Sequence, residues 1–405
     1  MIMKTVVRSE TEMKESGLQW LGEIPNDWKV SRVGNFFSFS SGDSLTNEEI
    51  RDEGMYLVYG ANGIRGYYSK YNLAEKRILL GRVGALAGNV HIVDGKVWVT
   101  EHALIASNKL DLVEEYYGYV FESMNLIQYS KSSAQPVISG DTLQKLRFPV
   151  PKLSEQQAIA DYLGETCSKI DEIIAEAKAS IDEYEKLKQA TIDENILGYD
   201  SVHIKLRQLG SLKNGLNFSH SDDVANIKFL GVGCFKDNMI LSEVDDFADE
   251  HIDFEISEEY LLSDGDIVFV RSNGSKELVG RSIMVENIDY PVTFSGFCIR
   301  FRNMHTELVD NRFLLYYFRT THFKQSLLKY SNDSTNINNL NQEMLNAIRI
   351  NAPVIAEQKL LVKKMEEQVF VFDSLIAEKE SLIKDLESYK KSLIYEVVTG
   401  KRRVV

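Results

Sequence analysis

Two stretches of this 405-residue chain end an apolar run on an arginine and pass directly into a glycine turn. They are Ile78-Leu79-Leu80-Gly81-Arg82-Val83-Gly84 and Asp266-Ile267-Val268-Phe269-Val270-Arg271-Ser272-Asn273-Gly274. A guanidinium leaving a strand end offers a planar fork of donors that fits guanine O6 and N7 or a phosphate, and an asparagine amide fits adenine N6 and N7. Arg65, Tyr67, Tyr68, Lys70, Tyr71 and Arg77 surround the first loop in sequence, and Lys276 and Arg281 follow the second. Basic residues interleaved with tyrosine suit phosphate contacts together with packing on bases or sugars. The candidate DNA-contacting residues are therefore Arg65, Tyr67, Lys70, Arg77, Arg82, Arg271, Asn273, Lys276 and Arg281. An ion pair with a nearby acid is the competing role for each arginine.

Charge is distributed in a way that permits this chemistry. The chain carries a net −14, which taken whole argues against a nucleic-acid partner. Residues 237–266 concentrate twelve Asp and Glu with no Lys or Arg, whereas 267–329 hold nine Lys and Arg against five acids. Residues 63–82 hold five basic residues against Glu75 alone. Local basic patches on an acidic chain favour specific binding over indiscriminate sticking.

Catalytic signatures are missing. Gly274-Ser275-Lys276 has the ending of a phosphate loop without its upstream glycine, and Gly231-Val232-Gly233 lacks the third glycine of a dinucleotide turn. HExxH, Gly-x-Ser-x-Gly and the Asn/Asp-Pro-Pro-aromatic motif of aminomethyltransferases do not occur. Cys167, Cys234 and Cys298 are too scattered for a zinc site or a disulfide framework. The expectation is a chain that binds no cofactor or metal and catalyses nothing itself. No apolar run approaches the 18 or so residues that span a bilayer, and the first residues show no signal-peptide pattern. A cytoplasmic location without a membrane partner is expected.

What positions these loops is a long internal repeat. Residues 151–198 recur without a gap as 353–400, 202 positions later, with identities at Glu155/Glu357, Gln156/Gln358, Asp171/Asp373, Glu194/Glu396 and Gly198/Gly400 among others. In the first copy Leu163, Cys167, Ile170, Ile174, Ala177, Ile181 and Tyr184 alternate at steps of four and three. In the second, Met365, Val369, Phe372, Ile376, Lys379, Ile383, Leu386, Leu393 and Val397 fall on the same lattice. That is a coiled-coil seam of period 3.5. Its central contacts are expected at Ile170, Ile174, Ile181, Tyr184, Phe372, Ile376, Ile383 and Leu386. Acid pairs such as Asp171/Glu172 and Asp182/Glu183 fit a solvated face. Ser154 with Gln157 suggests a capping box, absent from the second copy where Ala356 stands. Helices of about 35–43 residues, roughly 50–65 Å long, need a partner. The expected partner is the other copy, antiparallel.

Short apolar runs broken by glycine fill the stretches between: Met55–Tyr59, Arg77–Leu80, Val90–Val93, Val97–Thr100 and Ala103–Ile105, then Ile227–Val232, Asp266–Val270, Arg281–Val285, Val292–Thr293 and Cys298–Phe301. An aromatic, helix-like stretch follows each set, Tyr116–Tyr129 and Arg312–Tyr330. The predicted architecture is two mixed α/β (α+β) globular domains alternating with two long helices in an antiparallel coiled coil, a pseudo-two-fold repeat. The expected divisions are 1–150, 151–198, 199–352 and 353–405. The helices match well between copies and the globular parts do not, which suggests one scaffold presenting two different surfaces.

The chain resembles the specificity (DNA-recognition) subunits of type I restriction-modification systems. The resemblance is carried by Trp20-Leu21-Gly22-Glu23-Ile24-Pro25-Asn26-Asp27-Trp28, by Pro149-Val150-Pro151 with Ser154-Glu155-Gln156-Gln157, by Pro353 with Glu357-Gln358, and by Leu393-Ile394-Tyr395-Glu396-Val397-Val398-Thr399-Gly400-Lys401. Gly265–Ile267 and Leu278-Val279-Gly280 add to it. The resemblance implies two target recognition domains, each reading half of a bipartite double-stranded DNA site, with the helices as spacer. It implies two methyltransferase (modification) subunits carrying S-adenosylmethionine, and a restriction/translocase subunit using ATP and Mg, as partners. It assigns no base-contacting residue, because those positions change with the target. A structural assembly protein, whose globular domains bind other proteins, is the alternative that the amphipathic helices also accommodate.

Overall fold

The computed structural model describes residues 4–130, 136–197, 202–218, 224–235, 239–272, 278–329 and 339–405. The chain forms two compact units, one built from Met1–Lys178 with Glu380–Val405 and the other from Ala179–Lys379. Each unit therefore owns part of both long helices. These run over Leu153–Leu197 (45 residues) and Ile355–Val398 (44 residues), somewhat longer than the heptad pattern alone suggested. At 1.5 Å per residue each is roughly 65 Å long.

Within the first unit, the start of one long helix packs with the end of the other. Ile159, Leu163 and Cys167 share a core with Leu393, Ile394, Val397 and Val398. Within the second unit the roles reverse: Ile192 and Ile196 share a core with Leu361, Val362, Met365 and Val369. Antiparallel pairing is thus present in each unit, as the seam predicted. Ile170, Ile174 and Ile376 are buried, and Ile181, Tyr184, Phe372, Ile383 and Leu386 are half-buried. The flanking Asp182, Glu183, Lys384 and Asp385 are exposed. Asp171 is more than solvated-face charge: Lys390 Nζ donates to both its carboxylate oxygens at 2.7 Å.

The helices start alike, and Ser154 caps neither. Each begins two residues after its proline, at Leu153 and Ile355, so Ser154 and Ala356 both lie inside the first turn. The repeated glutamine does the work instead. Gln156 Nε2 donates to Pro151 O at 3.1 Å while its Oε1 accepts the Val113 N–H at 3.2 Å. Gln358 Nε2 donates to Pro353 O at 2.7 Å and its Oε1 accepts the Asp310 N–H at 2.8 Å. Val113 and Asp310 precede the helices Glu114–Ser123 and Asn311–Tyr317. Each buried amide thereby fastens a globular part to the long helix that follows it in sequence.

The globular parts share one topology despite their divergent sequences. In the first unit an antiparallel sheet runs Phe37–Ser41, Ala103–Asn108, Arg77–Gly81, Val90–Val93. In the second the order is Gly210–Asn214, Cys298–Asn303, Ile267–Val270, Ser282–Val285, with Ile240–Leu241 added at the edge. A three-stranded sheet joins each: Trp98–Val99 lies parallel to Tyr56–Gly60, which pairs with Gly63–Tyr68, and Val292–Phe294 lies parallel to Ile227–Leu230, which pairs with Ala248–Glu250. Ile267–Val270 is buried at every position, which explains why it reads as an unbroken apolar run rather than an alternating one. An aromatic nest of Phe37, Tyr117, Phe121 and Phe148, with centroid separations of 4.8 to 6.3 Å, fills the first core.

Two short ribbons complete the frame. Lys29–Arg32 pairs with Arg147–Val150, and Val202–Lys205 with Arg349–Ala352, each leading into a long helix. The chain ends meet in the first unit, where Thr5–Val7 pairs antiparallel with Arg402–Val404. Beside them Glu155 accepts from Arg8 Nη2 at 2.6 Å and Trp28 Nε1 at 2.9 Å, and Tyr395 Oη donates to Trp20 O at 3.2 Å. The motifs that open and close the sequence are therefore one packed cluster.

Candidate nucleic-acid interface

Arg82 and Arg271 occupy the same backbone position in their units. Each follows the last residue of a central strand, Gly81 or Val270, whose cross-strand partner is Ala103 or Cys298. The Arg82 N–H donates to His102 O at 2.8 Å, and the Arg271 N–H to Phe297 O at 2.7 Å. Their carbonyls accept from Ile138 and Leu340, at 2.9 and 2.8 Å. The side chains also adopt one posture. Arg82 Nη1 reaches Glu101 O at 3.5 Å and Ser41 Oγ at 2.8 Å, and Arg271 Nη1 reaches Gly296 O at 3.4 Å. Both contacts hold the guanidinium over the turn that opens the neighbouring strand. Among the described residues neither arginine has a carboxylate partner.

Close backbone packing shapes this turn. A Cβ at Gly42 would stand 2.2 Å from Val99 O, and one at Gly215 2.2 Å from Ser295 O. These positions are again equivalent, since Gly42 N donates to Ala103 O and Gly215 N to Cys298 O. Glycine is what lets the outer strand run so close beside the turn that each guanidinium contacts.

The remaining candidates divide. Arg77 begins the strand that Arg82 leaves, so the two stand at opposite ends of Arg77–Gly81. Arg77 is engaged with Glu75 and, at 3.6 Å, with Glu114, which is the competing intradomain role. Arg65 is exposed on the strand Gly63–Tyr68 and donates to Asn47 Oδ1 at 2.6 Å. The turn of its hairpin touches the loop after Arg82 through Asn89 Nδ2 and Asn62 Oδ1 at 2.9 Å, which brings Arg65 toward the Arg82 end. Tyr67 is half-buried and exchanges backbone bonds with Arg51, and Lys70 is exposed beyond the other end of the hairpin. Asn273 and Lys276 lie outside the described residues. Arg281 closes the loop after Arg271, its carbonyl accepting the Val270 N–H at 2.9 Å. It also faces Arg319, whose pKa is pushed down to about 10, first by burial and then by the Arg281 charge. Sequence reading missed Arg319, Ser41 and the two glycines. Among the described residues no cluster of three or more His, Cys, Asp or Glu is placed to hold a metal.

The two globular parts thus share one α/β frame and place equivalent arginines at the ends of corresponding strands. The model of the type I restriction modification DNA specificity domain matches residues 25–183 and 200–385, and the chain belongs to that family. It is thus a DNA-reading specificity chain of a family without catalysis of its own. It is 26% identical over 421 residues to the type I restriction enzyme MjaVIII specificity subunit of Methanocaldococcus jannaschii, covering 94% of each chain. It is 34% identical over 139 residues to the EcoprrI specificity subunit of Escherichia coli, covering 33% of this chain and 35% of that one. In fold it is similar to a chain from a solved structure of complex assembly and conformational transition in the type I R-M system, with a TM-score of 0.68 at 12% identity, covering 93% of this chain and 99% of the other. No helix among the described residues is long and apolar enough to cross a membrane.

Proposed function

We propose that the chain reads a bipartite double-stranded DNA target, one half with the globular part within 1–150 and the other with that within 199–352. Arg82 and Arg271 are the residues we assign to the two halves. The observation that carries this reading is their equivalence: the same backbone bonds and the same side-chain posture stand beside loops of unrelated sequence. An identical reading head would need only one loop sequence, whereas two different half-targets require two. Arg65, Tyr67, Lys70, Asn273, Lys276 and Arg281 are assigned to supporting contacts with phosphates, sugars or base edges.

In this reading the chain works in the cytoplasm with DNA and with other restriction-modification subunits. Two methyltransferase subunits dock on it and bring S-adenosylmethionine and adenine methylation, while a restriction/translocase subunit brings ATP- and Mg-dependent activity. The specificity chain contributes no reacting group. It fixes which adenines its partners extrude from the duplex and modify. Methylome sequencing of cells carrying the chain with its methyltransferase tests this directly. A single asymmetric motif of two short halves with an unspecified gap is expected. A continuous motif, or none beyond that made by the methyltransferase alone, overturns the reading.

A further inference from the structure

Each ribbon leading into a long helix sets two cations directly opposite each other. Arg32 is the cross-strand partner of Arg147, and Lys205 of Arg349. Directly opposed residues share a face, with Cβ atoms about 4.5–5.5 Å apart, and like charges so placed weaken the pairing. A two-stranded ribbon is a marginal element on which to place such repulsion. Yet it is present in both units, whose globular sequences otherwise differ. Arg147 and Arg349 also stand 202 positions apart, so the internal repeat extends to the cation.

No acid among the described residues relieves the repulsion. The chain has 60 Asp and Glu against 46 Lys and Arg, yet none of the described acids pairs with Arg32, Arg147, Lys205 or Arg349. Arg147 of the first pair, and both Lys205 and Arg349 of the second, border a cleft with further polar groups. In the first unit a cleft of about 600 Å³ is lined by Arg147, Lys145, Gln19, Trp20 and Tyr129. In the second, one of about 480 Å³ is lined by Arg349, Lys205, Arg207 and Asn346, with Glu343 also on its wall but making no ion pair with them.

We infer that the two cation pairs, Arg32 with Arg147 and Lys205 with Arg349, are phosphodiester-binding sites for the backbone of duplex DNA. The inference rests on the DNA-reading role proposed above and adds a contact that carries no sequence information. A phosphate accepts from two cations at once and removes the repulsion that the protein leaves in place. Such contacts set the register of a protein on the duplex while its loops read bases. One pair per unit also matches a ligand that repeats its charge along its length.

The test uses the full chain co-purified with its methyltransferase subunits, with Arg32→Gln/Arg147→Gln and Lys205→Gln/Arg349→Gln as variants. Binding is measured by salt titration on a duplex carrying the target and on an unrelated duplex. Each double substitution is expected to weaken both duplexes alike, by about threefold or more near physiological salt. The slope of log affinity against log salt is expected to fall by about 0.9 for each phosphate no longer engaged. The methylated motif in cells stays the same. The thermal midpoint of the free complex is expected to hold or rise, because repulsion has been relieved. Unchanged affinity and slope overturn the inference, as does a lowered midpoint with unchanged binding per folded molecule. Loss of methyltransferase from the complex, with DNA binding of the remaining assembled complex unaltered, assigns the cations to a protein partner and also overturns it. If the unmodified complex binds no duplex, the proposed function fails first, so the two failures are distinguishable.

Discussion

Lys390 grips both carboxylate oxygens of Asp171 at 2.7 Å, and the same two residues displaced by 202 positions form the reciprocal bridge, Lys188 to Asp373. One bridge lies in each unit. Residue i on one helix meeting j on the other, while j of the first meets i of the second, is the pattern of a self-complementary patch. Both carboxylates are more than half exposed, so each bridge contributes about 0.2–1 kcal/mol and mainly selects register. Lys390→Asp is expected to destabilise the first unit within that range, and adding Asp171→Lys to restore it. A double-mutant cycle by chemical denaturation checks this; additive effects would show that the pair is not coupled.

The repeated glutamines are expected to matter more than the bridges. Gln358 is fully buried, and Gln358→Ala strands the Asp310 N–H together with the Pro353 carbonyl. Leaving a buried backbone group unsatisfied costs about 1–3 kcal/mol. Gln156→Ala is expected to do the same in the first unit through Val113 and Pro151. Hydrogen exchange localises the effect: protection should drop at the start of the affected long helix and at Glu114–Ser123 or Asn311–Tyr317, not uniformly.

Arg82→Ala and Arg271→Ala are each expected to weaken recognition of a different half of the target. Removing a bidentate hydrogen-bonded pair with a base costs about 1–3 kcal/mol in discrimination. Competition binding with duplexes mutated in one half reads the result. An equal loss for both halves from either variant would remove the assignment.

Each long helix passes from one unit into the other at its middle, near residues 178 and 379. Inserting one heptad into both helices beside those points adds about 10 Å of helix. The gap between the recognised halves should then lengthen by about three base pairs at roughly 3.4 Å each, with both halves unchanged. A methylome with an altered half-site and the original gap would refute the spacer role.

Alkaline pH should loosen both units. Burial pushes the Cys167 thiol up to about 11, and the Tyr316 and Tyr317 hydroxyls to about 12. For groups whose folded pKa is raised, the neutral form is favoured by folding. Their contribution is present below the unfolded pKa, near 9 for Cys167 and 10 for the tyrosines, and is lost as pH rises through the folded values. Urea midpoints measured from pH 8 to 11.5 should fall. Thiol labelling at pH 8 should stay slow until unfolding, since Cys167, Cys234 and Cys298 are all buried.

The helices were legible because a 3.5-residue period sustained over many turns has one structural meaning. Arg77–Gly81 and Ile267–Val270 were legible because central strands covered on both faces read as apolar runs. Sheet order was hidden, since pairings such as Leu80 with Leu104 leave no local trace. Ser154 misled for a related reason: its type fits a cap, but the cap-like role went to Gln156, whose partner Val113 is 43 residues away. Arg77 and Arg82 looked like one basic cluster in sequence, yet a strand carries its two ends apart. The terminal strands were invisible, because Thr5–Val7 is mostly solvent-exposed and has no pattern to read.

That terminal pairing has a practical consequence. Because Thr5–Val7 and Arg402–Val404 complete one another, trimming either tail strips the other of its one ladder partner among the described residues and leaves a bare edge open to stray strands. Purification handles and dyes fused to opposite tails will be neighbours, so a tag chosen for one end should be judged by what it does to both.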